Sequence, residues 1–166
     1  MPIRNPKEVF VMMLSALRQG TERANNIYRE LSQAVQDTDI KQALEARTWV
    51  SEKILATQDE VFKLIGEKPA KLDEHLHDVF AEDFRRELAE IQSPEAKRLF
   101  VLMKASHLIH LRIGAYKALV AAADLTGHFG VGVLLETCLA DELAFVERTR
   151  RILERIIETK VAAARA

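Results

Sequence analysis

Four long segments of the chain place apolar residues at alternating spacings of three and four, which is the pattern of helices with one buried face. The first two stripes are Phe10, Leu14, Leu17, Thr21, Ala24, Tyr28, Leu31, Val35, and Ile40, Leu44, Arg47, Ser51, Ile54, Gln58, Val61, Ile65. The other two are Leu102, Ala105, Ile109, Arg112, Tyr116, Leu119, Ala123, and Val131, Leu135, Cys138, Glu142, Phe145, Thr149, Ile152, Ile156. Because the alternation typical of strands is missing, the pattern predicts an all-α protein.

Capping signals set the ends of these helices. Asn5 is the predicted N-cap of the first helix, with Pro6 at its first position and Glu8 placed for a capping box. Asp39 is the predicted cap of the second helix. Ser93 and Pro94 open the next long helix in the same way. The expected helices therefore span about residues 6–35, 39–66, 94–126 and 131–162.

Short turns make the first two helices one antiparallel hairpin and the last two another. A less regular stretch between the hairpins contains a shorter connector helix, expected at 73–90. Two hairpins joined by a long crossover are the ferritin-like form of an antiparallel four-helix bundle. With 166 residues, of which 48% are hydrophobic, the chain is expected to form a single domain over 1–166.

Charge and composition exclude several classes of function. Charged residues make up 30% of the chain but nearly cancel, to a formal net charge of −1, which argues against binding to nucleic acid. No apolar run approaches the roughly 18 residues that cross a bilayer. The single Cys138 cannot form an internal disulfide, so we expect a cytoplasmic protein in a reducing compartment.

Polar residues interrupt the apolar stripes at one height, and these residues are the candidates for chemistry. Thr21, Arg47, Arg112 and Glu142 all fall inside a stripe. Helical bundles of this shape commonly hold two iron or manganese ions at mid-height, on a Glu from each of two helices and a Glu-x-x-His pair from each of the others. Two such cations need about four carboxylates with imidazoles, and this layer does not supply them.

Segments in all four long helices are similar to the motifs of one known family. Residues 108–116 are similar to a V-E-H-Y-E-I-A-x-Y helix, and residues 135–142 are similar to an L-x-E-T-L-E-E-E segment. Residues 10–15 resemble the opening F-x-x-L-L-S of the same family, and residues 65–69 resemble the end of its second helix. The chain thus resembles the bacterial ferritin-like proteins of the YciE/YciF type, which are associated with stress responses. The resemblance implies the ferritin-like fold, a homodimer and a di-metal site.

The departures from the family pattern fall on the metal ligands that the resemblance implies. Thr21 stands where the family has a Glu, with Glu22 one place off the stripe, and Arg47 stands where the family has a His. The two glutamates of the E-H-Y-E motif become Ile109 and Arg112. A guanidinium cannot be deprotonated to bind a metal, and it repels a divalent cation. We therefore expect Arg47 or Arg112 to pair with Glu142 where the metals would otherwise bind.

Three functions follow from this layer. The first is a non-catalytic ferritin-like bundle, structural or stress-associated, without a cofactor. Its core polar network is expected to contain Thr21, Arg47, His110, Arg112, Asp141 and Glu142. The second is a di-iron or di-manganese oxidase or iron-handling protein that uses Glu142, Asp141, His110 and Glu22. The third is a binding module in which Arg47 and Arg112 receive a small anion.

Two further features have a simpler interpretation. Glu74 and His77 form a Glu-x-x-His pair on one predicted helical face, but the pair lies in the connector and a polar surface turn is the expected result. Trp49, Leu55 and Phe62 are apolar surface that could bind a second copy of the chain. An enzyme is not the expected result, because no Ser-His-Asp set, phosphate-binding loop or cysteine cluster is present in the sequence.

Overall fold

The computed structural model describes residues 3–73 and 75–165, with side chains through Thr159. It contains five helices, α1 (Pro6–Gln33), α2 (Thr38–Ile65), α3 (Leu76–Glu90), α4 (Pro94–Leu125) and α5 (Phe129–Arg165), and no strand among the described residues. The prediction of an all-α protein is confirmed. No described helix is both long and apolar enough to cross a membrane.

Side-chain caps begin three of the long helices. Asn5 accepts a hydrogen bond from the Glu8 amide at 2.9 Å, and Ser93 accepts one from the Ala96 amide at 3.3 Å. The predicted cap of α2 was wrong: the cap is Asp37, which accepts from the Ile40 amide at 3.1 Å. Asp37 also pairs with Arg98 of α4 at 3.2 Å, so a tertiary contact favours it over Asp39.

The four long helices contact one another in a closed order, α1 to α2, α2 to α5, α5 to α4 and α4 to α1, and α3 packs on α1 and α4. Lys53 of α2 pairs with Asp141 of α5 at 2.8 Å, while Asp39, earlier in α2, pairs with Arg155, later in α5, at 3.3 Å. The two helices therefore run in opposite directions.

The apolar stripes form the core as predicted. Every stripe residue is buried except Phe10, Ile65 and Ile156, which are half-buried. The buried apolar residues form two clusters rather than one. One cluster includes Tyr28, Leu44 and Phe145, and the other includes Leu17, Ile54 and Leu135. Polar stripe residues occupy the space between the two.

The connector is attached to α1 by polar side chains at spacings of four. Ser15 accepts a hydrogen bond from the Ala70 amide at 2.9 Å, and Gln19 accepts one from the Leu72 amide at 3.1 Å. Gly20 lets α3 approach closely, since a Cβ atom there would lie 2.7 Å from Cε1 of His77. His77 is thus buried against α1. Its predicted partner in the Glu-x-x-His pair, Glu74, lies outside the described residues.

Candidate functional site

Four long helices each contribute one residue to a buried polar layer near the middle of the helices. We define the polar layer as Thr21 of α1, Arg47 of α2, Arg112 of α4 and Glu142 of α5, with the groups that bond to them. The exposed fractions are 0%, 1%, 3% and 0%, respectively. Each residue occupies a stripe position, so the helical period that buries the apolar residues also turns these four inward.

Glu142 is the centre of the layer. Nη2 of Arg47 donates to both carboxylate oxygens of Glu142, at 2.8 Å each. Nε and Nη2 of Arg112 donate to Oε1 of the same carboxylate, at 3.0 and 2.8 Å. One carboxylate on α5 therefore joins guanidiniums from α2 and α4. Charge-assisted hydrogen bonds of this kind are the strongest in proteins.

Two hydroxyl groups accept from the outer nitrogens of the guanidiniums. Nη2 of Arg112 donates to Oγ1 of Thr21 at 2.8 Å, and Nη1 of Arg47 donates to Oγ of Ser51 at 2.9 Å. Each hydroxyl in turn donates to its own helix, Thr21 to the Leu17 carbonyl at 2.9 Å and Ser51 to the Arg47 carbonyl at 3.0 Å. The Thr21 hydroxyl also lies 3.4 Å from Oε1 of Gln58, a second and longer acceptor for its proton.

Gln58 and Tyr116 also belong to the layer, although they were not among its predicted members. Nε2 of Gln58 donates to the Tyr116 hydroxyl at 2.8 Å and to Oγ1 of Thr21 at 3.2 Å. Both residues are fully buried. Ser51 and Gln58 were polar members of the second stripe, and that position was the signal that could have identified them.

Three polar atoms in and beside the layer have no hydrogen-bond partner among the described residues. These are Nε of Arg47, Nη1 of Arg112 and the hydroxyl of Tyr28. Cζ of Arg47 lies 5.5 Å from the centre of the Tyr28 ring and 5.9 Å from that of Phe145, within range of cation–π attraction. Buried donors without a partner are uncommon and call for an explanation.

Three residues predicted near this layer lie elsewhere. His110 is exposed, contacts the Ser106 carbonyl at 2.7 Å, and lines a surface cleft between α4 and α5. Asp141 is half-buried and pairs with Lys53 on the outside of α5. Glu22 is exposed and pairs with Arg18 at 2.7 Å. The placement of His110 and Asp141 in the core network was wrong, because each is one residue, about 100° of helical rotation, away from an inward position.

Burial keeps the tyrosine hydroxyls and the cysteine thiol near the layer protonated. It raises the pKa of Tyr28 to about 12 and that of Cys138 to about 11, and it raises the pKa of Tyr116 further. For Arg112, burial is the largest influence and lowers the pKa, but the Glu142 carboxylate, together with Tyr116 and Tyr28, outweighs it, so the pKa of Arg112 lies above its ordinary value. Arg112 therefore keeps its charge, and Tyr28, Tyr116 and Cys138 keep their protons, over the physiological pH range.

The donor set does not suit a di-metal centre. Among the residues that the structure describes, no three or more His, Cys, Asp or Glu side chains are grouped so that they could hold a metal ion. The layer offers one carboxylate, and two guanidiniums already bind it. A pair of divalent cations would face two fixed positive charges in a site of low dielectric.

Residues 5–162 match the family described as Domain of unknown function (DUF892), and the chain belongs to this family. It is a family member of the YciF type, as the sequence resemblance predicted. No curated protein matches the chain at significance.

Solved structures share the fold at low sequence identity. The E. coli stress protein YciF has a TM-score of 0.88 at 16% identity, covering 94% of this chain and 99% of that one. YcfI of Rhodopseudomonas palustris, described provisionally as a structural protein, has a TM-score of 0.85 at 20% identity, covering 89% and 94%. A protein of Xanthomonas campestris pv. campestris has a TM-score of 0.68 at 17% identity, covering 94% and 99%.

Proposed function

We propose that the chain is a metal-free, non-catalytic member of its family, a ferritin-like antiparallel four-helix bundle with a structural or stress-associated role in the cytoplasm. One observation carries the proposal: a buried Arg47–Glu142–Arg112 cluster occupies mid-height. Bundles of this shape build di-metal sites at that height from carboxylates and imidazoles. The descriptions of two structural neighbours, as a stress protein and provisionally as a structural protein, agree with such a role.

The chemistry of the layer also argues against catalysis. The hydroxyls of Thr21 and Ser51 donate to carbonyls of their own helices, so neither proton is directed at a general base. Cys138 is buried with its pKa raised to about 11, so its thiol stays protonated and is a poor nucleophile. Glu142 is held by two guanidiniums and is not free to accept a proton from a substrate.

Metal analysis separates this proposal from its alternative, a di-iron or di-manganese oxidase or iron-handling protein. Untagged protein would be incubated anaerobically with ferrous iron or with Mn²⁺, desalted, and analysed for metal per chain. We expect no metal above background, and about two ions per chain would refute the proposal. The control is Glu142→Gln, analysed at a temperature at which circular dichroism shows it to be folded, because metal that persists in this variant is bound outside the polar layer.

A homodimer through the α2/α5 face is part of the proposal. The α3 helix packs on α1 and α4, so it leaves the outer sides of α2 and α5 uncovered. These two helices carry large exposed apolar side chains, including Trp49 of α2 at 75%, and Phe129 and Val133 of α5 at 67% and 61%. The charged pair Lys53–Asp141 on these helices neutralises itself, so two copies would not repel one another there. Phe62, which we had expected on this surface, is buried.

Light scattering after size exclusion tests the dimer. We expect twice the chain mass for the wild type and a shift towards monomer for Trp49→Asp, because a carboxylate would be buried at the interface. Met103→Asp is the matched control, since Met103 is also exposed, at 55%, but lies on α4. A wild-type monomer would exclude the dimer. No nucleic acid or membrane partner is proposed.

A further inference from the structure

The polar layer holds an excess of one positive charge among its described residues. Arg47 and Arg112 are cations and Glu142 is the anion between them, and none of the three is more than 3% exposed. Asp141, the adjacent residue in the chain, is paired with Lys53 and compensates a different cation. An uncompensated buried charge is unfavourable, because the surrounding medium of low dielectric replaces water.

Neutral groups near the layer do not supply the missing negative charge. Tyr28 and Cys138 keep their protons at physiological pH because burial raises their pKa to about 12 and about 11, and Tyr116 does the same. The rings of Tyr28 and Phe145 offset part of the charge of Arg47. For Arg112, no such ring contact is present in the part of the chain that the structure describes. Arg112 therefore carries a buried positive charge without the aromatic contacts that stabilise Arg47.

Arg112 also has an unused donor. Its Nε and Nη2 bond to Glu142 and Thr21, whereas Nη1, which carries two N–H groups, has no partner in the described residues. Nε of Arg47 is unsatisfied as well. Charge excess and missing acceptors thus coincide in the same side chains. A water molecule would satisfy a donor but would leave the charge.

We propose that the polar layer binds one small monovalent anion, of the size and charge of chloride, against Nη1 of Arg112. One negative charge makes the layer neutral, while a divalent anion would reverse the excess. Both guanidiniums are almost entirely buried between helices, so only a small anion could be accommodated there. This inference rests on the proposed function in one respect, that the layer holds no metal. The metal analysis tests that premise separately.

Thermal unfolding in matched salts tests the proposal. Chloride or bromide, compared with gluconate at the same ionic strength, is expected to raise the midpoint by about 3–6 °C at ten times the dissociation constant. The rise should saturate with concentration, as expected for a site. Equal midpoints in chloride and gluconate would overturn the proposal.

Variants at Thr21 locate the effect in the layer. Thr21→Asp puts a carboxylate beside Arg112, whose Nη2 lies 2.8 Å from the Thr21 hydroxyl, and should abolish the chloride response. Thr21→Ser keeps the hydroxyl and the charge and should respond as the wild type does. A full chloride response in a folded Thr21→Asp protein would place the effect elsewhere and overturn the proposal.

Bromide soaked into wild-type crystals gives a test that does not depend on the folding of a variant. We expect one anomalous peak within hydrogen-bond distance of Nη1 of Arg112. Density for water at that position, without an anomalous signal at high bromide concentration, would overturn the proposal. Metal in the layer would instead refute the proposed function, so the two failures are distinguishable.

Discussion

Replacing Glu142 by leucine leaves Arg47 and Arg112 buried without a carboxylate. The carboxylate accepts four contacts of 2.8–3.0 Å from these two side chains. Removing one partner from a buried ion pair typically lowers the free energy of unfolding by about 3–5 kcal/mol. Since domains are commonly stable by only about 5–15 kcal/mol, we expect Glu142→Leu to be severely destabilised or unfolded at 37 °C.

The matched variant removes all three charges together. Arg47→Met, Arg112→Met and Glu142→Leu in one protein would join the two apolar clusters on either side of the layer. Replacing a complete buried ion cluster by apolar residues of similar size is often neutral, or stabilising by about 1–4 kcal/mol. We therefore expect the triple variant to be at least as stable as the wild type and far more stable than Glu142→Leu.

Urea unfolding followed by circular dichroism at 222 nm measures both differences. Trp49 is 75% exposed in the single chain but lies on the proposed dimer face, so its fluorescence would report dissociation as well as unfolding. A loss below about 1 kcal/mol for Glu142→Leu would contradict the buried ion cluster, because surface pairs contribute that little. A triple variant as unstable as the single one would show that the layer stabilises the fold through more than its charges.

Three other predictions concern stability and reactivity. Gly20→Ala should lower the free energy of unfolding by about 1 kcal/mol, because the added Cβ atom would meet the His77 side chain. Gly114→Ala should raise it by up to about 1 kcal/mol, because the space around Gly114 is open and alanine favours the helix. Urea titration measures both changes. The free energy of unfolding should fall as pH rises above about 9. In the unfolded chain Cys138 and Tyr28 lose their protons at their ordinary pKa values of 9.0 and 10.0, whereas burial raises these pKa values to about 11 and about 12 in the folded chain. Folding therefore becomes less favourable as the unfolded chain releases these protons. Cys138→Ala should reduce this slope, so that the free energy of unfolding lost between about pH 9 and pH 11 is smaller by on the order of 2 kcal/mol. An unchanged slope would contradict the prediction. Iodoacetamide at pH 8 should label Cys138 only after denaturation, and rapid labelling of folded protein would refute its burial.

The fold was predictable because its signal is repeated along the chain. The inward-facing stripe of each long helix contains seven or eight residues, so the helical period is easily recognised. The caps at Asn5 and Ser93 lie where the local sequence predicts them. The cap of α2 was not predictable, since two aspartates flank Thr38 and only the contact with Arg98 of α4 favours Asp37. Helix ends are decided by such tertiary contacts more often than helix centres are.

The polar layer was predictable where its residues follow the helical period. Thr21, Arg47, Arg112 and Glu142 occupy stripe positions and are all buried. The errors arose where a family motif outweighed that period: His110 and Asp141 matched motif letters, but each lies about 100° from the buried face. The sequence also could not predict which hydroxyl would meet which guanidinium. Those contacts depend on the relative height of helices that are far apart in the chain.

The buried charges also determine how the helices align lengthwise. A shift of α5 by one turn, about 5.4 Å, would bring Cys138 or Phe145 opposite Arg47 and Arg112 in place of Glu142. An apolar core tolerates such a shift comparatively well, because one aliphatic side chain replaces another, but here it would leave two buried cations unpaired. The layer thus excludes misaligned pairings of the two helical hairpins, as a buried polar residue does in a coiled coil.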